Sequence, residues 1–148
     1  MAFHFPLEAI LRFRRGLERV ERLKLETIAS EQAQARRQLE MMTQQFFELR
    51  HRFQQAMRNE ISGSELQFEA MQTERFALAR LALRKRLTEL EEQRVKQVEA
   101  YTKARQNREI LENLRSGKFE LYRQTLSRRE QQELDDLFLV RHDFAHHE

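Results

Sequence analysis

The histidines near the C-terminus come closest in type and spacing to a metal site. His142 and His146 are four residues apart, with Asp143 and His147 beside them. Two histidines at that spacing share one face of a helix and can bind a metal. A stable site also needs further ligands and supporting hydrogen bonds, which a fraying chain end seldom supplies. We therefore predict no metal here.

The acidic residues give no sign of paired-carboxylate catalysis. Glu91 and Glu92 are adjacent in sequence, as are Asp135 and Asp136, so on a helix the two side chains of each pair diverge. The sequence has no Cys, no Gly-rich phosphate loop, no G-x-S-x-G elbow and no H-E-x-x-H motif. We predict that the protein is not an enzyme and uses no cofactor and no small-molecule substrate.

The charge of the chain is nearly balanced, which argues against binding to nucleic acid. Lys and Arg number 27 and Asp and Glu 24, a formal net charge of +3. The densest basic cluster, at residues 80–86, is followed at once by Glu89, Glu91 and Glu92. Mixed signs at this spacing are typical of a solvated helix surface. The absence of Cys fits a reducing compartment, so we expect a cytoplasmic protein that binds no nucleic acid.

The secondary-structure elements that carry all of these side chains are predicted to be helices. With three Gly and one Pro in 148 residues, the chain cannot make the many turns of a β-protein. Apolar residues recur at alternating steps of three and four through a first helix over about residues 6–59, the spacing of a heptad coiled coil. They are Ile28, Ala35, Leu39, Met42, Phe46, Leu49, Phe53 and Ala56, with Gln32 in the one polar position. Upstream, Leu7, Ile10, Leu17 and Val20 repeat in another phase, which predicts a register slip near residues 21–24.

A turn over about residues 60–64 separates this helix from a second over about residues 65–142. Gly63 can adopt the left-handed conformation that ends a helix. Ser62 with Glu65 has the spacing of a capping box, and Ser64 with Gln67 offers the same spacing, so either serine could cap the second helix. The second helix carries its own apolar positions: Met71, Leu78, Leu81, Leu87, Leu90, Val98, Tyr101, Leu111 and Leu114. Two long helices joined by a short turn lie antiparallel, so residue i should face roughly residue 124 minus i. We predict a single all-α domain over residues 1–148, a long antiparallel two-helix coiled-coil hairpin whose second helix overhangs the first.

The predicted overhang is itself apolar along one side. Beyond Ser116 and Gly117, where a helix can bend, apolar residues continue without a partner from the first helix. They are Phe119, Tyr122, Leu126, Leu134, Leu137 and Phe138. Contiguous exposed apolar surface usually marks a partner site. The alternatives are that Phe3 and Phe5 fold over part of it, or that two chains pair.

Three places in the sequence resemble the FliJ family of coiled-coil proteins in flagellar type III export. The opening F-H-F-P-L-E at residues 3–8 is similar to the family's F-x-F-x-L-E start. The turn near residue 62 is followed by Phe68, Met71 and Phe76, similar to apolar and aromatic positions of the family. The run E-Q-Q-E-L-D-D at residues 130–136 is similar to its E-Q-K-x-L-D-E segment.

The resemblance implies a central stalk that enters the hexamer of the export ATPase, promotes its assembly and activity, and links it to the cytoplasmic domain of the export gate and to export chaperones. It implies a location at the cytoplasmic face of the inner membrane. The overhang and the N-terminal end would then contact the ATPase ring, through Phe3, Phe5, Phe119, Tyr122, Leu126, Leu134, Leu137 and Phe138. The gate would contact Phe68, Met71 and Phe76. The alternatives are a generic structural coiled coil or homodimeric scaffold, or the equivalent stalk of a virulence-type injectisome.

Overall fold

The computed structural model of the chain describes residues 2–59 and 62–147. It contains two α-helices, α1 (Glu8–Arg58) and α2 (Gly63–His146), and no β-strand among the described residues. The helices are antiparallel, since Gln32 hydrogen bonds Glu91 and Arg115 hydrogen bonds Glu8. Both partners lie one residue from the predicted pairing. The all-α hairpin is confirmed.

A proline turn leads into α1. The Glu8 amide donates to the Phe5 carbonyl over 3.1 Å, which closes a turn over residues 5–8 with Pro6 in its second position. Proline favours that position because its fixed φ suits the turn and it has no N–H to satisfy. The regular helix therefore begins two residues after the predicted start, and Glu8 lies at the positive end of the helix dipole.

The start of α2 is capped as the sequence predicts, but one residue takes another role. The predicted turn includes Glu60 and Ile61, which lie outside the described residues. The Glu65 amide donates to the Ser62 hydroxyl over 3.4 Å, so Ser62 is the N-cap. The prediction that Gly63 ends the first helix is wrong: Gly63 is the first residue of α2, and no described residue has a positive φ. Gly63 therefore lies within the first turn of α2, directly after the capping residue.

The chain divides into two compact units. The central unit is Arg19–Thr102 and the terminal unit combines Met1–Glu18 with Lys103–Glu148. In the central unit, the buried residues of α1 are Gln32, Ala35 and Leu49, and Leu90 is buried on α2. The remaining predicted apolar positions from Ile28 to Ala56 are all half-buried. The heptad seam of α1 in this unit is therefore confirmed.

The predicted register slip in α1 does not occur. From Leu11 to Ala56 the residues that face inward keep one heptad register, in which several positions are polar. The inward positions of the first part of α1 are Leu11, Arg14, Glu18, Glu21, Leu25 and Ile28. Ile10 and Val20, which suggested another phase, are each 47% exposed. Glu18 and Glu21 remain inward because Arg108 and Gln97 of α2 hydrogen bond them.

Several apolar residues of α2 face outward, contrary to the prediction that they line the seam. Met71, Leu78, Leu81 and Leu114 are exposed, whereas Leu87, Leu90, Val98, Tyr101 and Leu111 are covered as predicted. The early seam positions of α2 are in part polar, at Glu69, Thr73 and Arg80. Before Leu83, the inner side of α2 is therefore a mixture of polar residues and apolar ones such as Phe76.

Candidate protein-binding surfaces

The segment 123–147, here called the overhang, is exposed at every residue. The helix is continuous through Gly117 and reaches His146, four residues beyond the predicted end. Only Tyr122, at the edge of this segment, is half-covered. Among residues 2–59 and 62–147, none buries the side chains beyond it.

Seven large apolar side chains of the overhang are exposed to solvent. They are Leu126, Leu134, Leu137, Phe138, Leu139, Val140 and Phe144, with exposed fractions from 39% to 73%. A lone amphipathic helix gains nothing from such side chains in water, and burial of each would contribute about 1.5–3 kcal/mol. Exposed apolar side chains concentrated in one segment are typical of protein-binding surfaces.

Helix geometry sorts these side chains into three groups. At 100° per residue, Leu126, Leu137, Val140 and Phe144 lie on one side, here called the overhang stripe. Leu134 and Phe138 lie on the adjacent side. Leu139 points away from the stripe, and Leu121, which precedes the overhang, has the same direction as Leu139.

The N-terminal segment covers the beginning of this apolar side. The ring centroids of Phe3 and Phe119 are 5.1 Å apart in an edge-on contact, and those of Phe3 and Tyr122 are 5.6 Å apart. Phe5 is 3% exposed, with the Lys118 ammonium 5.9 Å from its ring. The predicted self-burial therefore holds for Phe3, which packs on Phe119 and Tyr122, and for Phe5 beside Lys118. Phe5, predicted as a partner-binding residue, is a core residue that leaves little surface for a partner.

Ion pairs hold the two helices together in the terminal unit. Arg108 Nε lies 2.6 Å from Glu18 Oε2, and its Nη1 lies 2.7 Å from Glu112 Oε2. Arg15 also bonds Glu112. Hydrogen bonds from Arg15 and then Arg108 hold the pKa of Glu112 below its ordinary value. These ion pairs hold Glu18 and Glu112 at polar seam positions that apolar spacing does not reveal.

A second exposed apolar surface, here called the outward stripe, lies on α2 in the central unit. It consists of Phe68, Met71, Leu78 and Leu81, which are 54–63% exposed. Leu78 and Leu81 line a shallow groove with the basic residues Arg84 and Lys85. Leu78 and Leu81 are predicted seam residues, but apolar spacing alone does not show whether a stripe faces the other helix or the solvent.

Phe76, predicted with Phe68 and Met71 as a gate-binding residue, lies on another side of α2. It is half-buried and shares the heptad position of Leu83 and Leu90, so it belongs to the packed side. The structure thus brings Phe68 and Met71 together on one surface and separates Phe76 from them.

The C-terminal histidines are close to one another but do not form a metal cluster. The ring centroids of His142 and His146 are 4.4 Å apart. Within residues 2–59 and 62–147, no group of three or more His, Cys, Asp or Glu side chains is placed to hold a metal ion. In the same residues no helix has the length and apolar content to cross a bilayer.

A family model described as "Flagellar FliJ protein" matches residues 3–144, nearly the whole chain. No curated protein and no solved structure matches the chain. The match includes both helices, the N-terminal aromatic segment and almost all of the overhang.

Proposed function

Because the chain belongs to the FliJ family of flagellar type III export proteins, we propose that it is the central stalk of the export ATPase ring. In this role it is a non-enzymatic component that enters the ATPase hexamer, promotes its assembly and activity, and links it to the export gate. The work is done by contact surfaces rather than by reacting groups.

The observation that carries this proposal is the exposed apolar overhang. Its helix from residue 123 to His146 has a length of about 36 Å at 1.5 Å per residue. Leu137, Phe138 and Leu139 are each at least 60% exposed, and as consecutive residues they point to three different sides of the helix. A partner with one flat face could cover only some of them. A ring of subunits around the helix could cover all of them at once.

The aromatic cluster of Phe3, Phe119 and Tyr122 would form the base of this ring-binding region. Its mutual contacts hold the N-terminal segment against α2 where the overhang begins. Phe119 keeps 40% of its surface exposed, so the cluster can still contact a partner. Phe5 would act beneath it by packing rather than by direct contact.

For the contact with the cytoplasmic domain of the export gate, we propose the outward stripe. Phe68 and Met71 carry the family resemblance, and Leu78 and Leu81 extend their apolar surface. Exposed residues of both signs accompany this stripe, Arg75, Arg84 and Lys85 together with Glu74, so its apolar side chains would provide the main contact. The outward stripe shares no residue with the overhang, so ring and gate could be bound by one molecule.

Export chaperones are the remaining partners of the proposal, and they would bind to the exposed charged surface of the helices. Exposed ion pairs contribute about 0–1 kcal/mol each, which suits exchangeable contacts. Through these partners the protein would work at the cytoplasmic face of the inner membrane.

The ring proposal is tested by measuring ATP hydrolysis by the purified export ATPase with and without this protein. Leu134→Asp combined with Phe138→Asp should abolish the stimulation, because a carboxylate at either position cannot enter an apolar contact without a large desolvation cost. Circular dichroism should show unchanged helicity, since both side chains are exposed. If the doubly substituted protein still stimulates the ATPase, the overhang is not the anchor.

A matched pair of substitutions in the outward stripe serves as control. Phe68→Asp with Met71→Asp should weaken binding to the isolated gate domain and leave ATPase stimulation intact. The overhang substitutions should have the reverse effects. Loss of both activities in both proteins would mean that the two surfaces do not have separate partners.

A further inference from the structure

We propose that the overhang is also a self-association surface, which pairs antiparallel with the overhang of a second copy of this chain. The inference starts from the overhang stripe and the two residues that precede it on the same side of α2. Phe119, Tyr122, Leu126, Leu137, Val140 and Phe144 follow one another at steps of three or four, apart from one gap. That spacing is the seam of a two-stranded coiled coil, so the occupant is another helix.

The stripe continues an interface that already exists in the chain. The inward side of α2 in the terminal unit carries Leu111, Arg115 and Tyr122, and Leu126 follows four residues later on the same side. Within the chain, the cover over this side is continued past the start of α1 by the N-terminal segment, whose Phe3 contacts Phe119 and Tyr122. From Phe119 to Phe144 the seam covers about 26 residues, within the three to four heptads that a coiled coil needs.

The order of the side chains is self-complementary when two copies run antiparallel. In that arrangement residue i of one copy lies level with roughly residue 263 minus i of the other. Leu126 then lies level with Leu137 of the second copy, and Phe119 lies level with Phe144. The apolar layers match on both sides of the polar gap, which contains Glu130 and Glu133.

The charges of the segment favour the same direction. Its first half, residues 118–129, carries an excess of basic residues: Lys118, Arg123, Arg128 and Arg129 against Glu120. Its second half, residues 130–147, is acidic: Glu130, Glu133, Asp135, Asp136 and Asp143 against Arg141. Antiparallel pairing brings each basic half beside an acidic half, whereas parallel pairing would bring like charges together. Charge and apolar spacing thus select one occupant and one orientation.

Self-association would compete with the proposed ring contact. Phe119, Tyr122, Leu126 and Leu137 belong to both surfaces, so a paired molecule could not enter the ring until it separated. This consequence alone rests on the proposed function, and the pairing itself does not. Pairing would keep the stripe out of water in the free protein.

Analytical ultracentrifugation of the full-length protein tests the pairing in the absence of the ATPase. Between about 1 and 300 µM, a range that brackets micromolar affinity, the unsubstituted chain should pass from monomer to dimer. Leu137→Asp should weaken dimerisation at least about 100-fold, because two-fold symmetry removes two apolar contacts at once. Leu139→Asp is the matched control: its side chain is equally exposed but faces away from the stripe, so dimerisation should persist.

A substitution in the polar gap should act in the opposite direction. Glu133→Leu replaces a charge that would be buried in the seam by an apolar side chain, so it should tighten the dimer about tenfold. A chain that stays monomeric at about 300 µM, with Glu133→Leu unable to make it dimerise, would overturn the proposal.

Cysteine cross-linking tests the direction of pairing, because the natural chain has no cysteine. Leu126→Cys and Leu137→Cys proteins are mixed and treated with a short bismaleimide. Antiparallel pairing predicts cross-links between the two kinds of chain and few within either kind alone. Cross-links of Leu126→Cys to itself would show parallel pairing and contradict the proposal. Neither result depends on whether the ATPase responds to this protein.

Discussion

The seam of the central unit and the overhang have the same apolar spacing but opposite environments. Leu90, on α2 in the central unit, is 1% exposed, whereas Leu137, on the same helix in the overhang, is 60% exposed. Both residues belong to runs with steps of three and four. What differs is whether α1 supplies a facing helix. Apolar spacing therefore predicts a seam without identifying what covers it.

Polar residues have different roles in the two regions as well. In the central unit, Gln32 is buried and donates a hydrogen bond of 2.9 Å to Glu91, which Arg94 also binds. In the overhang, the polar residues Glu130 and Glu133 interrupt an apolar stripe that remains exposed. A satisfied polar group in a seam helps to fix the register of two helices. An exposed one leaves the choice of partner open.

The largest expected effect is a contrast in stability between the two regions. Leu90→Ala should lower the free energy of unfolding by about 2–5 kcal/mol, the usual cost of removing a buried Leu side chain. Leu137→Ala should change it by less than about 0.5 kcal/mol, since surface substitutions have small effects. Urea unfolding followed by circular dichroism at a concentration too low for self-association measures both. Equal losses would mean that the chain buries Leu137 in solution.

An intermediate effect is expected from the ion pairs of the terminal unit. Arg108→Ala removes hydrogen bonds to Glu18 and Glu112, and it should cost about 1–2 kcal/mol because these groups are only partly exposed. The comparison protein is Arg123→Ala, in the overhang, which should have almost no effect on unfolding. The same urea experiment distinguishes them. If Arg108→Ala is as stable as the unsubstituted chain, the polar seam does not hold this unit together.

The smallest expected effect concerns how the stability of the central unit changes at acidic pH. The guanidinium of Arg94, and after it the amide of Gln32, lowers the pKa of Glu91 from 4.5 to about 2. A lowered carboxyl pKa stabilises the folded state above pH 4.5, and this contribution is lost as the pH falls towards 2. The thermal midpoint should therefore decrease in this range.

Two substitutions isolate the contribution of Glu91 to this decrease. Glu91→Gln removes the titrating group, and Arg94→Gln removes the main cause of its lowered pKa. Both should make the midpoint less dependent on pH between 4.5 and 2. A slope that neither substitution changes would show that other carboxylates carry the acid dependence.

Much of the fold could be predicted because the capping residue, the apolar spacing and the scarcity of Gly and Pro all indicate the same two helices. The Ser62 cap, the heptad run to Ala56 and the polar position of Gln32 are all confirmed. The run of residues without Gly or Pro left helices as the only regular structure. The antiparallel pairing followed from the position of the turn.

The remaining errors arose where the seam is polar. Glu18 and Glu21 face inward because Arg108 and Gln97 bind them, which no apolar pattern can show. Glu69 and Arg80 likewise occupy inward positions of α2, so Leu78 and Leu81 were assigned to the wrong side. The burial of Phe5 depended on a contact between the two ends of the chain. In the overhang, the apolar side chains continue past Phe138, the last predicted position, to Val140 and Phe144.

Thiol labelling at Leu137→Cys tests most directly whether the overhang stripe is a partner surface. In dilute free protein, where pairing is negligible, the cysteine should react with a maleimide as fast as a cysteine in an unfolded peptide. Addition of the export ATPase should slow the reaction at least about tenfold, while a cysteine at Leu81, outside the overhang, keeps its rate. Slow labelling in the free monomer, or a rate that the ATPase leaves unchanged, would contradict the account.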